Sequence, residues 1–579
     1  MNDKLIIYQM LPRLFSNTCE HCTPNGSIEQ NGCGKLNDIS TRAIKSIADL
    51  GATHIWYTGI IEHATKTDYS AYGIKRDNPF IVKGKAGSPY AIKDYYDIDP
   101  DLAVDVPNRM SEFEALVERT HACGLKVIID FVPNHVARQY HSDAAPCGTE
   151  DFGASDNTGM FFNPNNNFYY IEEHFSPTFD IGTGDDAYRE FPAKASGNDC
   201  FNAHPGICDW YETVKLNYGI DPSNGSFHFE PMPDTWRKML DILLFWAAKG
   251  IDAFRCDMAH MVPVEFWVWA IRAVKSRHPH IKFIAELYDV GIYRDYILRG
   301  GFDYLYDKVN LYDTLRAICC NNAPACQITH CWQTVDGIGN HMLNFLENHD
   351  EQRFASALYA DDPWRAIPAF VVCATLSTGP VMLYAGQELG EKAEDAEGFS
   401  GNDGRTTIFD YWSIPTVRRW YNNGKCDNAR LSENEIALRN AYKKILHIAK
   451  SEQAIAEGNF FDLMYVNFQN PALNPHDTFA YLREKNGILL VIAANFSNSP
   501  RSCHIVIPTH AFDTLTLPKG VYPATELLSG TCGEKALSPD SPFITDIPDN
   551  GAVIWKIDTT RRHMQSNKSK KTVTRRKKS

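Results

Sequence analysis

The chain lacks any uninterrupted apolar run of about eighteen residues, the length a membrane-crossing helix needs, so no helical anchor is expected. Its start, Met1-Asn-Asp-Lys-Leu-Ile-Ile-Tyr, has no basic stretch leading into a long apolar core, and no secretory leader is expected. Basic residues are in deficit. Lys and Arg number 57 against 71 Asp and Glu, a net charge of −14, which argues against nucleic acid as a partner of the body. The exception is the end, residues 560–579, where Lys568, Lys570, Lys571, Arg575, Arg576, Lys577 and Lys578 stand almost without hydrophobic neighbours and read as a solvated, disordered tail. A paired CxxC is also missing. Cys19, Cys22 and Cys33 lie with His21 in the polar stretch 17–37, but no fourth ligand accompanies them, and the stretch reads as an irregular loop. The sixteen cysteines are scattered, some within apolar segments such as those of Cys256 and Cys373, which fits reduced thiols in a cytoplasmic protein better than a disulfide framework.

What is present is enough residues for several domains and an ordinary globular composition, 44% hydrophobic and 22% charged. The 12% of aromatics suits a cleft that stacks on flat apolar faces, sugar rings included, as well as a large core. Apolar runs alternate with helical spacing. Strands are predicted at Leu5–Leu11, Ala52–Thr58, Lys126–Val132, Ile251–Cys256, Lys282–Ala285, near Phe302–Tyr306, Met342–Leu346 and Pro380–Tyr384, with helices over 39–50 and 108–123 among the connections. Eight such units imply a (β/α)8 barrel, whose functional groups gather at the C-terminal ends of its strands.

Two regions break the repeat. Residues 136–217 are rich in Asn, Gly, Asp and aromatics, too long for a plain loop, and are expected to form an irregular domain inserted after strand three. From 452 to 559, short alternating runs such as Thr478-Phe-Ala-Tyr-Leu and Ile488-Leu-Leu-Val-Ile read as a C-terminal antiparallel β-sandwich. The barrel is left with 1–135 and 218–451.

Carboxylates stand at the strand ends. In Gly250-Ile-Asp-Ala-Phe-Arg255-Cys-Asp257, Arg255 and Asp257 are two apart and share one side of a strand. Alone, the pair fits a structural ion pair as well as a nucleophile held ionised by its arginine. Phe283-Ile-Ala-Glu286 and Phe345-Leu-Glu-Asn-His349-Asp350 repeat the design, and Asp130-Phe-Val-Pro-Asn134-His135 adds a further polar tip. Two carboxyls about 5–5.5 Å apart can run retaining glycoside hydrolysis. On this reading Asp257, beside Arg255, is the nucleophile. Glu286, with no basic residue in its own segment, is the general acid. Asp350 and His349 would hydrogen-bond sugar hydroxyls.

The set DFVPNH, GIDAFRCD, FIAELY and FLENHD, in this order, resembles conserved regions one to four of the α-amylase superfamily (glycoside hydrolase family 13). GPVMLYAGQELG and IIYQMLPRLF resemble its eighth-strand and first-strand segments, and the likeness covers about residues 5–450. The resemblance implies Asp257 as nucleophile, Glu286 as acid/base and Asp350 as transition-state stabiliser. It implies Arg255 as orienter of the nucleophile, His135 and His349 as contacts of the sugar at the cleavage point, and Tyr90 as the ring that stacks beneath that sugar. His260, in Met258-Ala-His-Met, replaces a usual Lys-His pair and can still hydrogen-bond an acceptor sugar. Thr213-Val-Lys215-Leu-Asn217 resembles the fifth region of neopullulanase-like members, where lysine replaces a calcium-binding aspartate. Calcium takes oxygen ligands, so none is expected in the usual place beside Asn134; no metal ligand and no organic cofactor is assigned. The implied function is cleavage of α-1,4 bonds in maltodextrins, with a glucanotransferase or α-glucosidase as the alternative. A non-catalytic glucan-binding scaffold is the reading from another class.

Overall fold

The computed structural model describes residues 4–399 and 401–560; the basic tail from 561 onward lies outside the described residues. Eight parallel strands form the central sheet: Ile6–Met10, His54–Tyr57, Lys126–Phe131, Ala253–Cys256, Lys282–Ala285, Tyr304–Tyr306, Met342–Leu343 and Val381–Tyr384, called barrel strands one to eight below. Each pairs with the next, strand one pairs with strand eight, and a parallel bridge between Asn344 and Val381 closes the ring. Strand seven is shorter than its apolar run predicts because the chain leaves the ladder at Asn344.

The period of two explains how one barrel holds both a core and a charged mouth. Ile7, Trp56, Ile128, Ala253, Ile284, Tyr306, Leu343 and Met382 point inward and pack as one cluster. Two residues further along the same inward rows come Gln9, Asp130, Arg255 and Glu286, and Asp257 follows Arg255. The inner rows thus change from aliphatic to polar at the C-terminal rim. Helices pack on the outside. Thr41–Leu50 is typical: Ser40 caps it by accepting from Ala43 N–H, its buried stripe is Ala43, Ile44, Ile47 and Leu50, and left-handed Gly51 ends it.

The insertion leaves and re-enters the barrel through a short antiparallel pair, His135–Ala137 with Thr213–Lys215. Its interior carries only two-residue strands, such as Tyr170–Ile171 with Ala193–Lys194, and its core is aromatic, including Phe175 and Tyr188. After the long helix Glu433–Ser451 come a six-stranded antiparallel sheet (Asn459–Asp462, Thr478–Lys485, Ile488–Asn495, Gly551–Asp558, Gly520–Glu526, Cys532–Leu537, in spatial order) and a two-stranded sheet of Arg501–Ile505 with Phe543–Ile547. The stretch around Cys19, Cys22 and Cys33 is loop with one helical turn, Ile28–Asn31. Among the described residues no group of three or more His, Cys, Asp or Glu is arranged to hold a metal. All sixteen cysteines are free thiols.

Candidate active site

Arg255 is the hub of the barrel mouth. It is 1% exposed, and its guanidinium lies over the rings of Trp56, Tyr90 and Tyr306 at 5.3–5.5 Å. Nη1 donates to Asp257 Oδ1 at 2.8 Å and stands 3.5 Å from Asp130 Oδ1; Nη2 pairs with Glu286 Oε2 at 2.7 Å; Nε donates to the Tyr306 hydroxyl at 3.2 Å. One cation therefore serves three carboxylates.

This alters the expected surroundings. From its own segment, Glu286 has no basic neighbour. The parallel register sets Arg255 beside Ile284, so Glu286, two residues on, lies within reach of the guanidinium. Asp257 is likewise not governed by Arg255 alone. Burial and the Glu286 charge push its pKa well up, against the pull of Arg255. Asp130 rises to about 6 through burial, and Asp350 to about 7 through burial and the Glu286 charge. The carboxylates titrate as a group, and near neutral pH the group keeps a proton.

Glu286 is held by two further donors. Tyr288 O–H donates to Oε1 at 2.6 Å and Met258 N–H to Oε2 at 2.8 Å. Met258 adopts φ +42°, a left-handed conformation uncommon for a residue with a side chain, and this conformation presents its N–H to the carboxylate.

Opposite lies an aromatic platform. Tyr90 stacks on His349 with ring centres 5.2 Å apart, and its hydroxyl meets His349 Nε2 at 2.5 Å. Gln9 Nε2 lies 2.7 Å from His349 Nδ1, which assigns the imidazole proton to Nε2, facing Tyr90 and Asp350 Oδ2 at 3.1 Å. Burial and the Arg255 charge hold His349 neutral. His135 packs against Trp210 at 5.2 Å, and burial with the Lys215 and Lys83 charges lowers its pKa to about 3. Gly197 passes directly beneath: a Cβ there would lie 2.9 Å from His135 Cβ and 2.4 Å from Thr213 Oγ1. His260 stands to the side, edge-on to Tyr288 at 5.9 Å, with its buried Nδ1 unpartnered.

A pocket of about 300 Å³ opens between these walls. Tyr90, His135, Asp257, Glu286 and Asp350 line it; Arg255 and His349 lie behind them, and His260 is not in the lining. Tyr288, Met258, Trp210 and the buried ion pair Lys83–Glu212 (3.1 Å) also stand in the walls, and sequence reasoning missed all of them. Tyr288 alone had a readable signal, the i, i+2 spacing from Glu286. Trp210 and Glu212 belong to the irregular insertion and Lys83 to a long loop, where no period exists to place a side chain. Beside the pocket, Lys215 Nζ donates to Asn134 Oδ1 at 2.5 Å and pairs with Asp199 Oδ1 at 2.7 Å.

Comparison with known proteins agrees with the barrel fold. Residues 9–171 match the family model "Alpha amylase, catalytic domain". An α-1,4-glucan:maltose-1-phosphate maltosyltransferase of Cereibacter sphaeroides is 34% identical over 92 residues, covering 15% of this chain and 16% of that protein. Alpha-amylase 3 of Dictyoglomus thermophilum is 23% identical over 391 residues, 64% of this chain and 68% of that one. The α-amylase of Geobacillus thermoleovorans, solved with acarbose, superposes with a TM-score of 0.62 at 19% identity over 96% of this chain and 98% of its own. The chain spans about a sixth of the length of the first of these curated relatives. The resemblance to the α-amylase superfamily, and its fold, are thus shown.

Proposed function

We propose that the chain is a retaining glycosidase that cleaves α-1,4-glucosidic bonds in maltodextrins. One observation carries this reading: Asp257, Glu286 and Asp350 arrive from three different strand ends at one pocket, Asp257 and Glu286 both paired with Arg255, with Tyr90 as a flat ring in the same wall. In the proposed reaction Asp257 attacks the anomeric carbon while Glu286 gives a proton to the leaving oxygen, forming a glycosyl ester. Water, activated by Glu286 as base, then attacks the anomeric carbon and frees Asp257. Asp350 holds ring hydroxyls and stabilises the positive charge that develops on the ring. Arg255 fixes the positions of Asp257 and Glu286 at once. His135 and His349, both neutral, accept or donate hydrogen bonds without adding charge. His260, with its Nδ1 unpartnered, is the candidate for a hydrogen bond to an acceptor sugar.

A calcium ion does not fit beside Asn134. The amide oxygen it would use accepts from the Lys215 ammonium, which repels a cation. No step is routed through a metal or an organic cofactor. The free thiols support a reducing, cytoplasmic location. Among the described residues no helix is long and apolar enough to cross a membrane.

The likeness to maltosyltransferases over 92 residues favours a second reading, in which a sugar hydroxyl resolves the same ester. A time course with maltoheptaose separates the two. Rising reducing ends with shorter products mark hydrolysis. Longer and shorter sugars at constant reducing ends mark transfer. Unchanged turnover in Glu286→Gln would remove Glu286 from the acid role.

A further inference from the structure

A second cavity, of about 470 Å³, lies on the outer side of the barrel wall, where barrel strands six and seven, the helix Ile328–Thr334 and the C-terminal sheet meet. Its wall breaks the rule that builds the rest of the barrel. Leu343 and Phe345 point inward, so Met342 and Asn344 point outward, toward the layer that elsewhere buries aliphatic side chains. Asn344 is 2% exposed; its amide donates to Cys373 O at 3.3 Å, and its Oδ1 has no partner. A buried polar atom left without a hydrogen bond costs about 1–3 kcal/mol.

Asp307 follows Tyr306 on the same outer row and is 3% exposed. It accepts from Leu311 N–H at 3.2 Å and from the Asn310 amide at 3.4 Å, and among the described residues it has no cationic partner. Across the cavity, Arg483 is 2% exposed and spends its hydrogen bonds on the carbonyls of Ala454, Leu376, Ile455 and Gly458, also without an ion-pair partner among the described residues. A buried acid and a buried guanidinium thus line one space without neutralising each other. The half-buried indole of Trp332 forms part of the same wall, with Phe460 edge-on at 5.4 Å.

We propose that this cavity is a second binding site, for a neutral sugar of one or two hexose units. Acceptors at Asp307 and Asn344, and the one Nη1–H that Arg483 does not give to a carbonyl, match a ring of hydroxyls, which both give and accept hydrogen bonds. The indole offers the apolar face that a pyranose covers. The lining carries two acids, Asp307 and Asp336, against the one guanidinium of Arg483, which disfavours an anion and suits hydroxyl donors. The volume falls within the range of small-molecule sites. The choice of maltose as probe rests on the proposed glucan activity; the cavity itself does not.

The test counts sites. Maltose is titrated by equilibrium dialysis into the full-length Glu286→Gln chain, which binds without turnover. Two molecules per chain are expected. Thr378→Phe, which fills the cavity, and Trp332→Ala, which removes its ring, should each reduce the count to one. Neither change should alter turnover of maltoheptaose in the otherwise wild-type chain. One molecule that survives Thr378→Phe, two that survive both changes, or none at all would overturn the second site. A single molecule lost with Thr378→Phe would uphold it and count against maltose binding at the catalytic pocket.

Discussion

Arg255 Nη2 and Glu286 Oε2 form an ion pair of 2.7 Å, joining two strands through a side chain that already holds Asp257. The arginine is both the electrostatic anchor of the site and the partner that makes burial of three carboxylates tolerable.

Replacing Arg255 with Met should therefore damage both fold and chemistry. Breaking a buried pair by removing one partner costs about 3–5 kcal/mol. Loss of a fixed donor at developing charge costs about 10²–10³ in turnover. Denaturant unfolding and kcat on maltoheptaose measure the two losses separately; a fully stable variant would show that the carboxylates do not depend on the cation.

The pH profile should reflect the carboxylate group and not the histidines. Asp350 lies at about 7 and Asp130 at about 6, while His135 lies at about 3 and His349 well below its ordinary value. As pH rises through about 7, Asp350 gives up its proton and gains the charge that stabilises the developing cation, so kcat/KM should rise along a limb near that pH. His135→Gln should lower kcat/KM and leave that limb in place. A limb that moves with this substitution would assign it to the imidazole.

Stability should carry a pH slope from Glu62. Burial and the nearby Asp94 charge raise its pKa to about 9, from about 4.5 in an exposed chain. Between these values the folded state holds a proton that the unfolded state has released, so stability falls as pH rises, by up to about 1.4 kcal/mol per unit. Glu62→Gln removes the slope. Its unfolding temperature should match the wild type near pH 5 and exceed it near pH 8.5; parallel curves would refute the shift.

Much of this was legible beforehand. All eight barrel strands were, because apolar runs bounded by turn residues carry their own signal, and the site carboxylates were, because they end those runs. The sharing of Arg255 was not. It depends on the register between strands four and five, which neither strand encodes alone. Lys83, Trp210 and Glu212 were unreadable for another reason: their positions depend on the folding of irregular segments held by loop hydrogen bonds. The reading of Asp257 as held ionised by Arg255 left out burial and the charge of a spatial neighbour, Glu286, which push its pKa up against the arginine.

Met258 should tolerate glycine and resist β-branching. Its left-handed backbone is natural for Gly and costly for Val. Met258→Gly should keep stability within about 1 kcal/mol, whereas Met258→Val should shift the N–H away from Glu286 and lower kcat about tenfold or more. Equal kcat in both variants would mean that the N–H does not position the acid.

Chelation should leave the protein unchanged. With Lys215 against Asn134 and Asp199, EDTA is expected to alter neither unfolding temperature nor turnover. Lys215→Ala should lower the unfolding temperature by several degrees, since it leaves buried Asn134 without its donor. An EDTA-sensitive wild type would point to a metal bound elsewhere.

The insertion leaves and rejoins the barrel through three residue pairs: His135 with Lys215, Val136 with Val214 and Ala137 with Thr213. Everything between is a length of chain that the eight strands do not need in order to close. Changes to the insertion therefore act on the pocket wall that Trp210 and Glu212 supply and leave Asp257, Glu286 and Asp350 on the strand ends. For the experimenter the same three pairs are a grafting seam: a foreign segment spliced there keeps those carboxylates and replaces that wall.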